Sequence, residues 1–207
     1  MSSTQLGLYN AALRAVGERR LASLTENREP RRLLDEIWND DAIEACLEMG
    51  QWKFACRISS LTYSPSIEPD FGYRYAFDKP ADHIRTVAFC RDEYFKTPLI
   101  EYNQSANYWF CDLQAVYVQY VSSDSAYGGD LSLWPKSFDT LVAAFLARDL
   151  GRRMKNGSDQ AVLKKEFDDA LTEAKSLCAM EGPTQFPAAG SWVQSRSNGR
   201  FGRGNRC

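Results

Sequence analysis

Apolar residues recur at helical intervals near both ends of the chain, whereas short β-rich runs fill the part between them. The clearest helical seam begins at Leu163 and continues at offsets 4, 7, 8, 11, 14 and 15. Such spacing places the apolar side chains on one face of a helix, and that face must be buried against another element. We therefore expect the terminal helices to pack together in an α+β fold, with the β-rich part inserted between them.

The periodicity predicts four helices. The first has about twelve residues and ends at Gly17, which suits a left-handed helix end. The second covers residues 27–50, the third opens at Pro135, and the fourth covers 163–178. Together they predict a mainly α-helical, four-helix body. This body is discontinuous in sequence and consists of residues 1–56 and 130–182.

The middle of the chain predicts an inserted small antiparallel β unit over residues 57–129. Its strand-like runs are ISSLTY, YRYAF, IRTVAFC, YWFC and AVYVQYV, and they are separated by the turn segments SPSIEPD, DKPAD and NQSAN. In the last run both alternating sets of side chains are bulky, so we expect both faces of that strand to be covered. Tyr127, Gly128 and Gly129 predict a flexible link back to the helices.

The last 25 residues, 183–207, predict an extended C-terminal arm. Residues 182–207 contain four arginines, five glycines and no acidic residue. The whole chain has 25 Lys and Arg against 27 Asp and Glu, so without the arm's four arginines the body has a formal charge of −6. Ordering a residue costs on the order of 1–2 kcal/mol, and the arm has few large apolar side chains to offset it. Its order must therefore come from a partner. The candidate partner-binding residues are Trp192, Arg196, Arg200, Phe201, Arg203 and Arg206.

Three interpretations of the arm stay open. Its arginines could pair with carboxylates of a protein groove while Trp192 and Phe201 fill pockets, which is the usual anatomy of a binding hot spot. Arginine and glycine also alternate in tails that bind nucleic acid, although four arginines neutralise few phosphates and the acidic body opposes binding. The third interpretation is a disordered end.

The inventory of catalytic groups is small, and we expect the protein not to be an enzyme. Its one histidine, His83, follows Asp82 in a turn, where a general base is the minority interpretation. The carboxylate pairs Asp40-Asp41 and Asp168-Asp169 are interpreted as solvated helix faces. No phosphate-cradling glycine motif and no metal-ligand spacing of Cys or His is present, so no cofactor or metal is expected.

The aromatic side chains have two interpretations. Six of them could stack the bases of single-stranded nucleic acid, but no basic residues cluster around the predicted strands, so a place in the core is favoured. They are Trp38, Trp52, Phe54, Trp109, Phe110 and Trp134. No apolar run approaches the roughly 20 residues that span a bilayer. We therefore expect a soluble, unexported protein that does not use a membrane.

Five segments, in this order and spacing, resemble the head-to-tail adaptor proteins of tailed bacteriophages, the group that includes the tail tubular protein A type of short-tailed phages. The resemblance covers roughly residues 5–182. Its most specific pieces are Trp52 to Ala55, Tyr75 to Pro80 followed by Asp82 and Arg85, and Trp134-Pro135 with Phe138. The segments are LYNAALRAVGE, LLDEIWNDDAIEACLEMGQWKFA, YRYAFDKPADHIRTV, LWPKSFDTLVAAFLARDLGRRM and LKKEFDDALTEAKSLCAMEG.

The resemblance implies a structural virion protein at the head-tail junction, made in the host cytoplasm. Copies of it would form a ring, commonly of twelve, beneath the portal protein, and each C-terminal arm would reach onto the portal. A tail or nozzle protein would bind below, and DNA would pass through the lumen without sequence-specific binding. Acidic residues facing the lumen would let the duplex slide. Asp35, Glu36, Asp40 and Glu44 are the candidates. The alternative is a nucleic-acid-binding accessory protein with an arginine tail.

Overall fold

The computed structural model describes residues 4–40, 42–69, 72–154 and 159–181. Within these residues it has five α-helices and two three-stranded antiparallel sheets. The helices are α1 (Gln5–Val16), α2 (Glu29–Asn39), α3 (Ala42–Glu48), α4 (Lys136–Arg153) and α5 (Gln160–Met180), with a short 3-10 helix at Lys53–Ala55. The strands are β1 (Cys56–Thr62), β2 (Tyr75–Asp78), β3 (His83–Cys90), β4 (Asn103–Gln104), β5 (Tyr108–Cys111) and β6 (Ala115–Ser122).

The prediction of a mainly α-helical four-helix body is wrong, because the protein is a mixture of helices and sheets. The predicted helix over 27–50 is divided at Asp40, which leaves helical geometry with φ −81° and ψ 39°. Short polar side chains such as Asn39 and Asp40 compete with the helix for backbone hydrogen bonds, so they favour helix ends. The apolar spacing continues across this break, and for that reason periodicity alone merged α2 and α3.

The prediction of one small sheet is also corrected, because the strands form two sheets with the orders β1-β6-β3 and β2-β5-β4. β6 is the central strand of the first sheet. Val116, Val118 and Tyr120 of β6 pack in a core that includes Phe77 of β2 and Trp109 of β5. Its Val121 belongs instead to the helical core. The bulky side chains on both faces of β6 thus reflect cover by the second sheet and by the helices, as expected. The division of the chain into a helical body and an inserted unit stays a prediction.

The helices are arranged around α4, against which both α1 and α5 pack. Nearly every face of α4 is covered, and its fully buried side chains include Phe138, Leu141, Leu146 and Leu150. The helix ends follow local chemistry. The Thr4 side chain accepts a hydrogen bond from the Gly7 amide at the start of α1, and Gly17 ends that helix with φ 83°, as predicted. No described helix has both the length and the apolar character needed to cross a membrane.

The segment predicted as a flexible link, 127–129, is a close-packed turn. The Gly128 amide donates to the Ser122 carbonyl at 3.2 Å, and its own carbonyl accepts from the Trp134 indole at 2.8 Å. A Cβ at residue 128 would lie 2.4 Å from the Ser122 carbonyl oxygen and 2.9 Å from Leu47. The glycine therefore lets the chain pass close to the end of β6 before α4 begins.

We expect Gly128→Ala to lower the free energy of unfolding by about 1–3 kcal/mol, the usual cost of overpacking a tight site. The backbone on which the methyl group would collide is held by the hydrogen bonds just described, so it cannot move away freely. Urea unfolding followed by circular dichroism measures the change. Ser125→Ala, at an exposed position in the same turn, is the control and should change stability by about 0.5 kcal/mol or less. Equal stability of Gly128→Ala and wild type would show that the turn is loose.

Candidate partner-binding groove

An open groove of about 1040 Å³ lies among α1, α4 and α5. α1 and α5 pack on α4, which leaves a space above α4 between them. Small side chains line much of this space, and none is large enough to fill it. They are Gly7, Ala11, Ala15, Ala143, Ala144 and Ala170.

The small residues explain why the groove exists. Helices pack at distances of about 8–10 Å, and the side chains at the contact set that distance. At Ala143, Ala144 and Ala170 the side chain ends at Cβ, so these positions do not extend into the space between α1 and α5. Trp134 and Leu8 also belong to the lining, although both are nearly fully buried. The groove is therefore an open space with many small and apolar side chains in its lining.

The wall formed by α5 is acidic. Glu166, Asp169 and Glu173 lie in the lining, and all three are exposed. Their spacing of three and four residues puts them on one helix face. None of the three forms an ion pair with any residue that the structure describes. This wall thus presents three carboxylates to an incoming group.

The opposite side of the groove has mixed charge. Arg14 of α1 and Lys136 of α4 lie there with Asp139, whose carboxylate is 3.6 Å from the Lys136 ammonium. Asp139 itself is only 5% exposed. Counting these groups with the α5 acids, the lining has four acidic and two basic residues, so the groove attracts cations overall, most strongly along α5.

A second, smaller hollow of about 400 Å³ lies where α5 ends near the 3-10 helix and β3. Its charged lining residues are Lys53, Arg85 and Lys175. The Lys53 ammonium donates to the Ala179 carbonyl at 3.4 Å, and Arg85 donates to the Glu48 carbonyl at 3.2 Å. Both cations thus stabilise carbonyl groups at helix C-terminal ends, where positive charge is favourable. These hydrogen bonds give Lys53 and Arg85 a structural role, so neither residue indicates a ligand.

The turn that carries Asp82 is part of a hydrogen-bonded cluster at the end of β6. The Asp82 carboxylate accepts from the Ser122 hydroxyl at 2.5 Å, from the Tyr120 hydroxyl at 3.3 Å and from Arg57 at 3.1 Å. Burial alone would raise the pKa of Asp82, but the hydrogen bonds from Ser122 and Arg57 outweigh it and hold the pKa below its ordinary value. Burial, and next the charge of Asp82, raise the pKa of Tyr120 to about 12. Asp82 is therefore an ionised structural anchor.

His83 does not form a base-orienting pair with Asp82. Its Nε2 is instead 2.9 Å from the Thr86 hydroxyl, and its ring lies edge-on to Trp109 with centroids 5.1 Å apart. Burial, and then the positive charge of Lys79, lower the pKa of His83. The imidazole packs at the junction between the two sheets, so this turn is not the fully solvated one that the sequence suggested.

The other catalytic candidates are dispersed. Asp168 and Asp169 are exposed on α5, and Asp40 pairs with Arg153 at 3.4 Å. Asp41 lies outside the described residues. No group of three or more His, Cys, Asp or Glu able to hold a metal ion occurs among the residues described. The absence of enzymatic activity stays a prediction.

The four acids suggested for a DNA-facing surface differ in their surroundings. Asp35 pairs with Arg31 at 2.6 Å and also accepts a hydrogen bond from Tyr9. Arg153 lies 2.7 Å from Glu36 and 3.4 Å from Asp40, whereas Glu44 is exposed and forms no ion pair with the described residues. Much of the negative charge of this face is thus balanced by arginines of the same chain. Whether it faces a lumen stays a prediction.

Trp52, Trp109 and Trp134 are buried, which confirms a place in the core for these three. The candidate arm residues lie outside the described residues, so their role stays a prediction. They are Trp192, Arg196, Arg200, Phe201, Arg203 and Arg206. Of the three acids of the α5 wall, the sequence had indicated only Asp169, as one member of a solvated carboxylate pair, and it had not indicated Glu166 or Glu173. Their spacing beside the apolar seam of the same helix was the available signal.

No family model matches the chain, and no curated protein matches it.

Proposed function

We propose that the protein is a head-to-tail adaptor of tailed bacteriophages, a structural virion protein whose copies form a ring beneath the portal protein. In this role each copy binds the portal through its C-terminal arm and a tail or nozzle protein through exposed loops of the β-rich part. DNA passes through the ring, which commonly has twelve copies. The protein has no catalytic step and needs no cofactor.

One observation carries the proposal: two of the three specific pieces that resemble the adaptors pack against each other in the helical core. Phe138 lies at the centre, with ring centroids 5.0 Å from Trp52, 4.9 Å from Phe54 and 4.9 Å from Trp134. These residues come from pieces about 80 positions apart in sequence. The remaining piece lies elsewhere: its Asp82 anchors the turn before β3 to β6, and its Phe77 packs in the other core. Two pieces that are distant in sequence and meet in one core support a shared fold better than scattered pieces would.

Imaging of the chain with its portal tests the proposal. Portal rings from the genome that encodes this chain would be mixed with the full-length protein and imaged by electron cryo-microscopy. We expect a second ring below the portal. The matched variant replaces Arg196, Arg200, Arg203 and Arg206 with Gln in the full-length chain. Charge-assisted contacts contribute about 1.5–3 kcal/mol each when buried, so binding should fall more than a hundredfold.

The outcomes separate the two parts of the proposal. If neither form binds the portal, the adaptor function is wrong. If both forms bind equally, the adaptor function stands and the role of the arginines is wrong.

The arginines themselves favour a second candidate, the nucleic-acid-binding accessory protein. Four phosphate contacts predict that the logarithm of the affinity falls with the logarithm of the salt concentration with a slope of about −3.6 for duplex DNA and about −2.8 for single strands. Fluorescence anisotropy with duplex and single-stranded DNA would show this slope for the wild type and its loss in the four-arginine variant. Binding of that kind without portal binding would favour the second candidate.

A further inference from the structure

We propose that the groove among α1, α4 and α5 binds the arginine-rich segment 182–207 of the same chain. The segment would lie along the acidic α5 wall, with an aromatic side chain over the small residues of the floor. This interaction concerns the isolated protein and does not depend on the proposed adaptor function. It differs from the expectation drawn from the sequence, in which only a partner orders the segment.

Charge complementarity selects the occupant. The α5 wall offers Glu166, Asp169 and Glu173, which have no ion-pair partner in the described ranges. Segment 182–207 has four arginines and no acidic residue. Arginine binds carboxylates through two parallel hydrogen bonds, which makes it the cation best suited to such a wall. Arg14 and Lys136 on the opposite side would repel the arginines and direct them toward α5.

The floor of the groove selects apolar anchors. Ala143, Ala144 and Ala170 line the open space, and Trp134 and Leu8 add apolar atoms to the same lining. Segment 182–207 has large aromatic side chains at Phe186, Trp192 and Phe201. Burying one aromatic side chain removes roughly 150–250 Å² of surface from water. The groove thus offers open space beside apolar atoms, and the segment offers aromatic side chains that could occupy it.

The length of chain permits the contact within one molecule. Glu166 precedes Glu181, the last described residue, by 15 positions, which is about 22 Å along a helix. The 11 residues from Glu181 to Trp192 span up to about 36 Å when extended, so the segment can turn back and cover the whole wall. A tether this short gives an effective concentration in the millimolar range, which favours the groove of the same molecule over that of another.

Hydrogen exchange measured by mass spectrometry on the full-length protein tests the inference. We expect the amides of 182–207 to exchange at least about tenfold more slowly than in an unstructured peptide of the same sequence. The test variant combines Glu166→Gln, Asp169→Asn and Glu173→Gln, which keeps side-chain size. Exposed ion pairs are individually weak, and three of them together should make exchange in the segment about tenfold faster.

The control variant removes the same charge elsewhere, with Asp168→Asn, Glu44→Gln and Glu101→Gln, all at exposed positions outside the groove. It should leave the protection of 182–207 unchanged. A wild-type segment that exchanges as fast as the free peptide would overturn the inference, as would equal loss of protection in both variants. Protection that grows with protein concentration would assign the groove to a neighbouring copy and would also overturn it.

Discussion

Trp52→Ala is expected to lower the free energy of unfolding by about 3–5 kcal/mol, the range for removing a large aromatic side chain from a core. Trp52 is 1% exposed, and its indole joins elements that are distant in sequence. The ring lies against Phe138 of α4 with centroids 5.0 Å apart, and the indole N–H donates to the Cys46 carbonyl at 3.0 Å. That carbonyl is among the last four of α3, which have no partner within their own helix.

Urea unfolding monitored by circular dichroism would measure this loss. If Trp52→Ala does not fold, Trp52→Phe provides a second measurement, because it keeps most of the ring packing and removes the indole hydrogen bond, at an expected cost of about 1 kcal/mol. Tyr94→Ala is the control, since Tyr94 is 71% exposed, and it should change stability by about 0.5 kcal/mol or less. A Trp52→Ala protein as stable as the control would contradict the packing described for this cluster.

The sequence predicted well those elements whose signal is local. α4 and α5 follow from their apolar spacing and from Pro135, and Gly17 indicates the end of α1 by its conformational freedom. The strand β5 is also local, since the predicted run YWFC matches Tyr108–Cys111. In each case neighbouring residues determine the structure, so a single sequence contains the necessary information.

Other features depend on contacts between distant residues. The spacing of apolar residues continues unchanged across Asp40. Periodicity therefore could not show that α2 and α3 are separate helices. The pairing of β2 with β5 rather than with β3 depends on which side chains share a core, and Trp109 and Phe77 meet only after the chain folds. Gly128 resembled a flexible linker residue because its close approach to Leu47, which is distant in sequence, leaves no signal in the local sequence.

The groove was the least predictable part. From the sequence, alanines such as Ala143 and Ala144 indicate only a helix. They line an open space because of the way in which three helices are arranged. Conversely, the arginines of 182–207 were evident from composition, but their binding surface was not. A surface made from several helices has no signature in any one of them.

Asp82→Asn is expected to lower the free energy of unfolding by about 2–3 kcal/mol at neutral pH. Leaving a buried donor without its acceptor costs about 1–3 kcal/mol, and the Ser122 and Tyr120 hydroxyls both donate to this carboxylate while being 0% and 1% exposed. Asparagine keeps the shape but offers one acceptor oxygen and a competing NH2 group. The turn before β3 would therefore be held less firmly to β6.

The effect should depend on pH in one direction. The pKa of Asp82 in the folded protein is below its ordinary value, which is near 4 in an unfolded chain. Protonation therefore favours unfolding, so the contribution of the charged group is complete above about pH 4 and is lost as the pH falls through the folded-state pKa. We expect the stability difference between wild type and Asp82→Asn to be largest near pH 7 and to shrink below about pH 4.

Urea unfolding of both proteins at several pH values between about 3 and 7 would measure this dependence. Asp78→Asn is the matched control, because Asp78 is exposed and lies four residues earlier in the same turn region. It should change stability little and without the same pH dependence. The hydroxyl contribution can be separated with Ser122→Ala, since a double-mutant cycle with Asp82→Asn measures the coupling of the pair. A stability difference that stays constant from pH 7 to pH 3 would mean that the Asp82 charge does not stabilise the cluster, leaving shape and packing as its role.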